Sequence, residues 1–233
     1  MLFLSMRIPE SRVQQFLRSR TPLVFVDGYN RNLDSLSIDN KQGAYLATRR
    51  LISLGHKRIG MLNANLQSLP ARQRFKGYKQ AMEESGLPLS ASLIKSSPPG
   101  RLDGFTRESG AALMREFLAL GRKRPTAILV SCDVQASGAL SVLNESRLRY
   151  PEDVAIVGFD DIEMASYLGL TTMRQPMFEM GVLASEILAR RLNDLRQPVS
   201  HSMFVPKLII RKSCGASLTS EVKPQDQETQ AIA

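Results

Sequence analysis

The stretch VAIVGFDDIEMASYLGLTTMRQP, Val154 to Pro176, carries an apolar strand-like run straight into two adjacent carboxylates, Asp160 and Asp161. Four chemistries use such a pair. They could be a general acid and base, metal ligands, a turn, or the polar end of a ligand pocket. Acid–base work on a glycosidic bond needs two carboxyl groups facing each other about 5 to 9.5 Å apart. Neighbours on an extended strand point to opposite faces, which places this pair poorly for that task. A metal site needs partners of the right kind. His56 and His201 are far apart in sequence, and Cys132 and Cys214 form no CxxC pair, so neither a zinc site nor a disulfide framework is expected. No GxxxxGK[ST] or GxGxxG loop is present to cradle phosphates, and no cofactor is implied.

Polar residues recur at the ends of other apolar runs. Asp27 ends LVFVD, Asp39 and Asn40 end SLSID, and Asp133 follows TAILVSC. Each also suits a helix N-cap, most of all Asp133 ahead of VQASGAL. Repetition at several strand ends favours a pocket, because ligands of open parallel α/β sheets bind outside the carboxyl ends of the strands. Arg72 and Arg74 open the helical pattern RQRFKGYKQ, where a cation opposes the helix dipole, so a ligand or a carboxylate is one reason to place it there. A solvated helix face is the other. Phe105, in LDGFTRESG, reads equally as a core contact or as a pocket wall.

The elements that must position these residues alternate along the chain. Strand-like runs at 1–5, 22–27, 35–39, 57–63, 126–131, 154–159 and 207–211 are separated by helical patterns at 9–20, 43–55, 72–86, 109–121, 134–146 and 178–195. Continuous apolar strands between amphipathic helices predict parallel sheets covered on both faces. The chain's 233 residues, 43% of them hydrophobic, supply a sizeable core. No apolar run reaches the roughly 18 residues of a membrane span. The opening MLFLSMRIPE lacks a basic start and a cleavage site, and it reads as a strand, not a signal peptide. The net charge of +9 is dispersed, with GRKRP at 121–125 its densest point, so direct nucleic-acid contact by this chain is not the reading it favours. The polar, Gln-rich tail from Ala216 reads as disordered.

VAIVGFDDI, LTTMRQP, MG and LIIRKS, in that order, together with IDNKQGAYLATRRLISLGHKRIG and RFKGYKQAMEESG, resemble the lactose-repressor (LacI/GalR) family of bacterial transcription regulators. The resemblance spans about residues 1 to 213. It implies a two-lobed, periplasmic-binding-protein-like (type I) α/β fold of doubly wound parallel sheets. One lobe would be 1–38 with 177–204, the other 39–176 with 205–215, and 216–233 the disordered tail. Effector would sit between the lobes. By this resemblance Asp160 accepts hydrogen bonds from ligand hydroxyls and Arg74 donates from the same lobe. Phe105 holds the stacking position, Asp27 reaches in from the opposite lobe, and Ser5 and Gln175 line the cleft. Asp161 would cap or turn the loop behind.

Two departures from the family pattern matter. Cys132-Asp133 stands where Asn-Asp is common, and a thiol does not reproduce an amide's paired donor and acceptor, so that ligand contact is altered. The family's helix-turn-helix head, hinge helix and opening βαβ unit have no counterpart here, which predicts an incomplete N-terminal lobe with MLFLS as an apolar edge. The function implied is a sugar-like or nucleoside-like effector-binding and dimerisation core of a cytoplasmic regulator, acting on operator DNA only through a separate head. A solute-binding protein of a sugar transporter is the alternative. An enzyme is disfavoured: Asp27 and Asp160 could face each other across the cleft, but nothing in the sequence tunes one as an acid.

Overall fold

The computed structural model describes residues 2–4 and 10–215. Ser5 and the tail from Ala216 lie outside the described residues. The chain runs β1 (Leu2–Leu4), α1 (Glu10–Arg18), β2 (Val24–Val26), β3 (Asp34–Ile38), α2 (Asn40–Ser53), β4 (Ile59–Asn63), α3 (Leu69–Glu84), β5 (Ile94–Ser96), α4 (Arg107–Leu118) and β6 (Ala127–Val130). It continues through α5 (Asp133–Glu145), β7 (Ala155–Asp160), α6 (Glu163–Tyr167), β8 (Thr171–Arg174), α7 (Met177–Asn193), β9 (His201–Phe204) and β10 (Lys207–Ile209). Two sheets result, ordered β1-β2-β3-β9 and β10-β8-β7-β6-β4-β5.

The apolar strands are continuous because both faces are covered. Ala127 and Leu129 of β6 pack into one cluster with Ala47 and Leu51 of α2, while Ile128 and Val130 pack into another with Phe117 of α4 and Leu143 of α5. Alternation thus puts one strand's residues into two cores. The smaller sheet repeats the design. Val24 and Leu36 meet Met180 and Ala184 of α7, and Phe25 and Leu33 meet Val13 of α1.

The chain passes between the sheets at three short links, after Ile38, after Arg174 and after Phe204. Parallel strands all end on the side where these links lie, so whatever follows a link must run back. After Ile38 and Arg174 the returning element is a helix. After Phe204 it is β10, which therefore pairs antiparallel with β8, as Lys207 opposite Arg174, where an all-parallel sheet was expected. Among the described residues β1 pairs on one side only, with β2.

Three strands escape the sequence pattern. In β9 exposed and half-buried residues alternate, and it pairs only with β3 at the sheet edge, so it has no apolar run to read. β5, likewise at an edge, is half-buried throughout. In β8, Thr171 and Thr172 are fully buried, yet their hydroxyls donate to the Arg211 carbonyl and to Asp133 Oδ1 at 2.8 and 2.7 Å. Satisfied hydroxyls let polar residues sit in a core strand.

Helix starts also move. α3 begins at Leu69 with Pro70 in its first turn, three residues earlier than the pattern indicated, so Arg74 lies in the second turn. Arg72 then serves the loop before the helix, its Nη1 donating to the Leu66 and Gln67 carbonyls at 3.2 and 2.9 Å. α2 begins at Asn40 because Asp39 caps it, accepting from the Gln42 N–H at 2.8 Å.

Candidate functional site

Arg74 is the centre of the site. α3 can carry it close to α2 because Gly77 leaves no side chain between them: a Cβ there would lie 2.0 Å from the Lys41 carbonyl oxygen. That approach brings Arg74 Nε within 2.7 Å of Asn40 Oδ1, while Nη1 donates to the Ser131 carbonyl at the end of β6. The guanidinium lies over the Phe159 ring at 3.8 Å, with the Phe105 ring 5.7 Å away. Its remaining nitrogen, Nη2, stands 3.8 Å from Asp160 Oδ1.

Asp160 ends β7, and the backbone turns there: Asp160 and Asp161 both have positive φ, 120° and 60°. Such angles are costly for non-glycine residues and cluster at functional sites. The turn separates the two carboxylates. Asp160 faces Arg74 and accepts from Gln175 Nε2 at 2.5 Å, while its carbonyl takes the Gln175 N–H at 3.3 Å. Asp161 points away and is gripped by Arg174 at 2.6 Å and Arg211 at 2.7 Å. It is therefore an ion-pair anchor binding the loop to β8 and to the segment after β10, a firmer role than a cap.

Burial pushes the Asp160 carboxyl up to about 6, with Arg74 and Gln175 pulling the other way and Asp27 adding to the rise. Asp27, at the end of β2 in the other sheet, is also held above its usual range by burial, and Arg74 opposes that too. One guanidinium from the larger sheet thus acts on a carboxylate of each sheet.

Phe105 is held by its loop. Leu102 and Asp103 adopt left-handed backbone, φ 50° and 52°, and Gln135 Nε2 donates to the Gly104 carbonyl at 2.9 Å. Gln135 is fully buried and was not foreseen. The signal was available, since residues 135, 138, 139, 142 and 143 form the buried stripe of α5, and a glutamine on such a stripe needs partners. Phe159, which holds Arg74 from below, was likewise not assigned to the site, and Asn40, named only with Asp39 among the polar strand ends, holds Arg74 from the side.

Cys132 and Asp133 depart from their expected roles. Cys132 is the N-cap of α5, its Sγ accepting from the Gln135 N–H at 3.4 Å. Only 3% exposed, its thiol is pushed up to about 12, by burial first and by Asp160 second, so it stays protonated. It lies within the field of Asp160 and Arg74 as a small apolar wall and makes no polar contact with either of them. Asp133 is fully buried. Its Oδ1 accepts from Thr172 at 2.7 Å and its Oδ2 from the Ile162 N–H at 3.1 Å. Gly158 makes room for it, since a Cβ there would lie 2.2 Å from Oδ1. The Asp133 carboxylate is consequently spent inside the fold and is not free to meet ligand. Burial pushes it to about 7. Ser5 lies outside the described residues, so the structure gathers Asp27, Arg74, Phe105, Cys132, Asp160 and Gln175 and sets Asp133 behind them.

No group of three or more potential metal ligands occurs among the described residues. A hollow of about 690 Å³ opens elsewhere, between the ends of α1 and α7, with Asp34 and Arg191 in its wall. Asp34 and Arg191 are paired with each other there, and the hollow lies apart from the polar residues gathered around Arg74.

Residues 48–214 match the family described as periplasmic binding protein-like domain. Over 202 residues the chain is 39% identical to the HTH-type transcriptional repressor PurR of Haemophilus influenzae. The chain belongs to the LacI family of transcription regulators. Its fold agrees with that of a LacI-family regulatory protein from Chloroflexus aggregans, with a TM-score of 0.80, 32% identity, and 91% of this chain and 75% of that one covered. A transcriptional regulator CelR–cellobiose complex gives the same TM-score at 28% identity, covering 91% and 64%. The H. influenzae ribose operon repressor is 35% identical over 82% of this chain and 57% of its own length. The PurR match takes in 84% of this LacI-family chain, which spans 58% of that relative.

Proposed function

We propose that this chain is the effector-binding core of a LacI-family transcription regulator, and that a small polyhydroxylated molecule binds between its two sheets. The observation that carries the reading is that Arg74, fixed by Asn40 and Ser131, acts on both Asp160 and Asp27, which come from different sheets. Carboxylates accept ligand hydroxyls, the guanidinium supplies a fixed donor, and the Phe105 ring covers a C–H face. Occupying a site shared by two bodies favours their closed arrangement by the ligand's differential affinity for it. The two bodies would be 1–38 with 177–204 and 39–176 with 205–215. Ligand-driven closure would be read out by a DNA-binding head of the kind named in the HTH-type relatives. The working unit would be a cytoplasmic homodimer, and operator DNA a partner of the head, not of this chain.

Binding, and not turnover, is the chemistry supported. Asp160 already bonds to Gln175 and Arg74, and neither Asp27 nor Asp160 is paired with a group that would cycle a proton. The matching relatives named above are repressors and a LacI-family regulator, which favours a regulator over a transporter's solute-binding protein.

The test is a thermal-shift screen of the chain against free pentoses, hexoses, disaccharides and nucleosides, run beside Asp160→Asn. At least one compound should raise the melting temperature of the wild-type chain and leave that of the variant unmoved. A compound that stabilises both equally would remove Asp160 from the site.

A further inference from the structure

We propose that the cleft selects a hydroxyl-rich, non-anionic ligand and rejects the phosphate ester of the same molecule, because two carboxylates, Asp27 and Asp160, face a single, partly engaged cation among the described residues. This deepens the effector-binding reading above and rests on it.

The charge inventory is short. Among the described residues, Arg74 is the only cation acting on Asp27 and the only one acting on Asp160. Two carboxylates against one guanidinium leave the group electronegative when both are ionised. Arg74 is partly engaged, with Nε on Asn40, one Nη1 hydrogen on Ser131 and one face against Phe159, and its charge is shared between the two carboxylates. Other nearby arginines are committed. Arg72 serves the Leu66 and Gln67 carbonyls, Arg174 and Arg211 hold Asp161, and Arg107 reaches Ser141.

Acceptor capacity, by contrast, remains, most of all on Asp27. No hydrogen-bond donor or ion-pair partner among the described residues reaches the Asp27 carboxylate, which meets only the field of Arg74. The Asp160 carboxylate accepts from Gln175 and from the Asp133 backbone N–H and faces Arg74 at 3.8 Å, which leaves part of its acceptor capacity open. A ligand entering this space must therefore bring donors, which hydroxyl groups do. A phosphate monoester brings about −1.5 to −2 of charge and three oxygens that need donors. Here it would meet two carboxylates in a partly desolvated cleft. Like charges so placed discriminate strongly between otherwise similar ligands. The protonated thiol of Cys132 is a weak donor already directed at Gln135 Oε1, at 3.9 Å, and carries no charge to offset this.

Isothermal titration of the chain at neutral pH with matched pairs tests the inference. Ribose is compared with ribose 5-phosphate, glucose with glucose 6-phosphate, and adenosine with its monophosphate. In any pair that binds, the uncharged member should bind at least about 100-fold more tightly. An ester that binds as well as its parent, with binding lost in Asp160→Asn (or in Phe105→Ala, should that variant fail to fold), overturns the charge selection and leaves the cleft reading standing. Ester binding that survives both variants places the ligand elsewhere and removes both. Silence from every pair sinks the cleft reading, and this inference with it.

Discussion

Two arginine–aspartate pairs in this molecule are built from the same groups to opposite ends. Arg191 and Asp34 join α7 to the start of β3 with contacts of 2.5 and 3.0 Å, and the side chains are 11% and 2% exposed. Asp34 also accepts from the Ser200 N–H at 2.8 Å, and Arg191 donates to the carbonyls of Gln197 and Pro198. Burial alone would raise Asp34, but Arg191 and Ser200 outweigh it and hold the carboxyl below its usual range. Arg74 and Asp160 stand 3.8 Å apart, with Asp160 25% exposed and its carboxyl pushed up to about 6 by burial. The first pair is closed on itself and fastens the fold. The second leaves acceptors unfilled, which is the condition for receiving a ligand.

The largest expected effect comes from breaking the closed pair. Asp34→Ala leaves Arg191 without its carboxylate and should cost roughly 2–4 kcal/mol in urea unfolding, the lower part of the range for a buried pair because the adjoining hollow admits water. Asp160→Asn should change the unfolding free energy by no more than about 1 kcal/mol, since the ionised form is already disfavoured. Equal losses in the two variants would erase the distinction.

The same Asp160→Asn variant should behave in the reverse way toward ligand. Its affinity for whichever sugar or nucleoside stabilises the wild-type chain should fall by about 2–3 kcal/mol, measured by titration, as for a lost charged hydrogen-bond acceptor. Asp34→Ala, where it folds, should leave that affinity within about threefold of wild type, since single sites far apart act independently.

Smaller, but sharper, is the response to pH. Asp160 titrates near 6 in the ligand-free protein, and hydroxyl donors prefer its ionised form. Affinity should therefore fall as pH drops below 6, by up to about tenfold per unit. Stability without ligand should move the other way. Asp160 and Asp133, raised to about 6 and 7, bind protons that the unfolded chain has lost above about pH 4, so their part of the stability declines as pH rises through that window. Asp34, held low, contributes stability that is lost as pH falls below about 4. The contribution of these three groups to the unfolding midpoint should therefore peak near about pH 4 without ligand and shift upward in pH with it; a peak that ligand does not move would count against Asp160 as its acceptor.

The smallest effect belongs to Arg174→Ala. Arg174 is 55% exposed, and Asp161 keeps Arg211 at 2.7 Å, so the loss should stay within about 1 kcal/mol by denaturant unfolding. A larger cost would show that the anchor at Asp161 does not share its load between the two arginines.

Strands with continuous apolar runs, such as Ala127–Val130 and Ala155–Phe159, were legible because each buries both faces and needs no outside partner to be recognised. β9 was not, because an edge strand with exposed residues carries no such pattern. Among the site residues, the polar types at strand ends could be picked out, yet their directions could not. Asp160 and Asp161 differ only in the side to which a positive-φ turn sends them. Asp133 looks like a pocket carboxylate until Thr172 and the Ile162 N–H are seen to occupy it, and those partners lie 39 and 29 residues away.

By itself, then, the sequence determined the alternation of strands and helices, the two-faced sheets and the family, because these rest on periodicity and on long ordered motifs. Which carboxylates are free and which are spent was decided only by the tertiary structure. The physical reason is that satisfaction of a buried charge depends on partners far along the chain. Arg191 reaches Asp34 across 157 residues, and Arg74 reaches the Ser131 carbonyl across 57. Composition and spacing do not encode those distances; packing does.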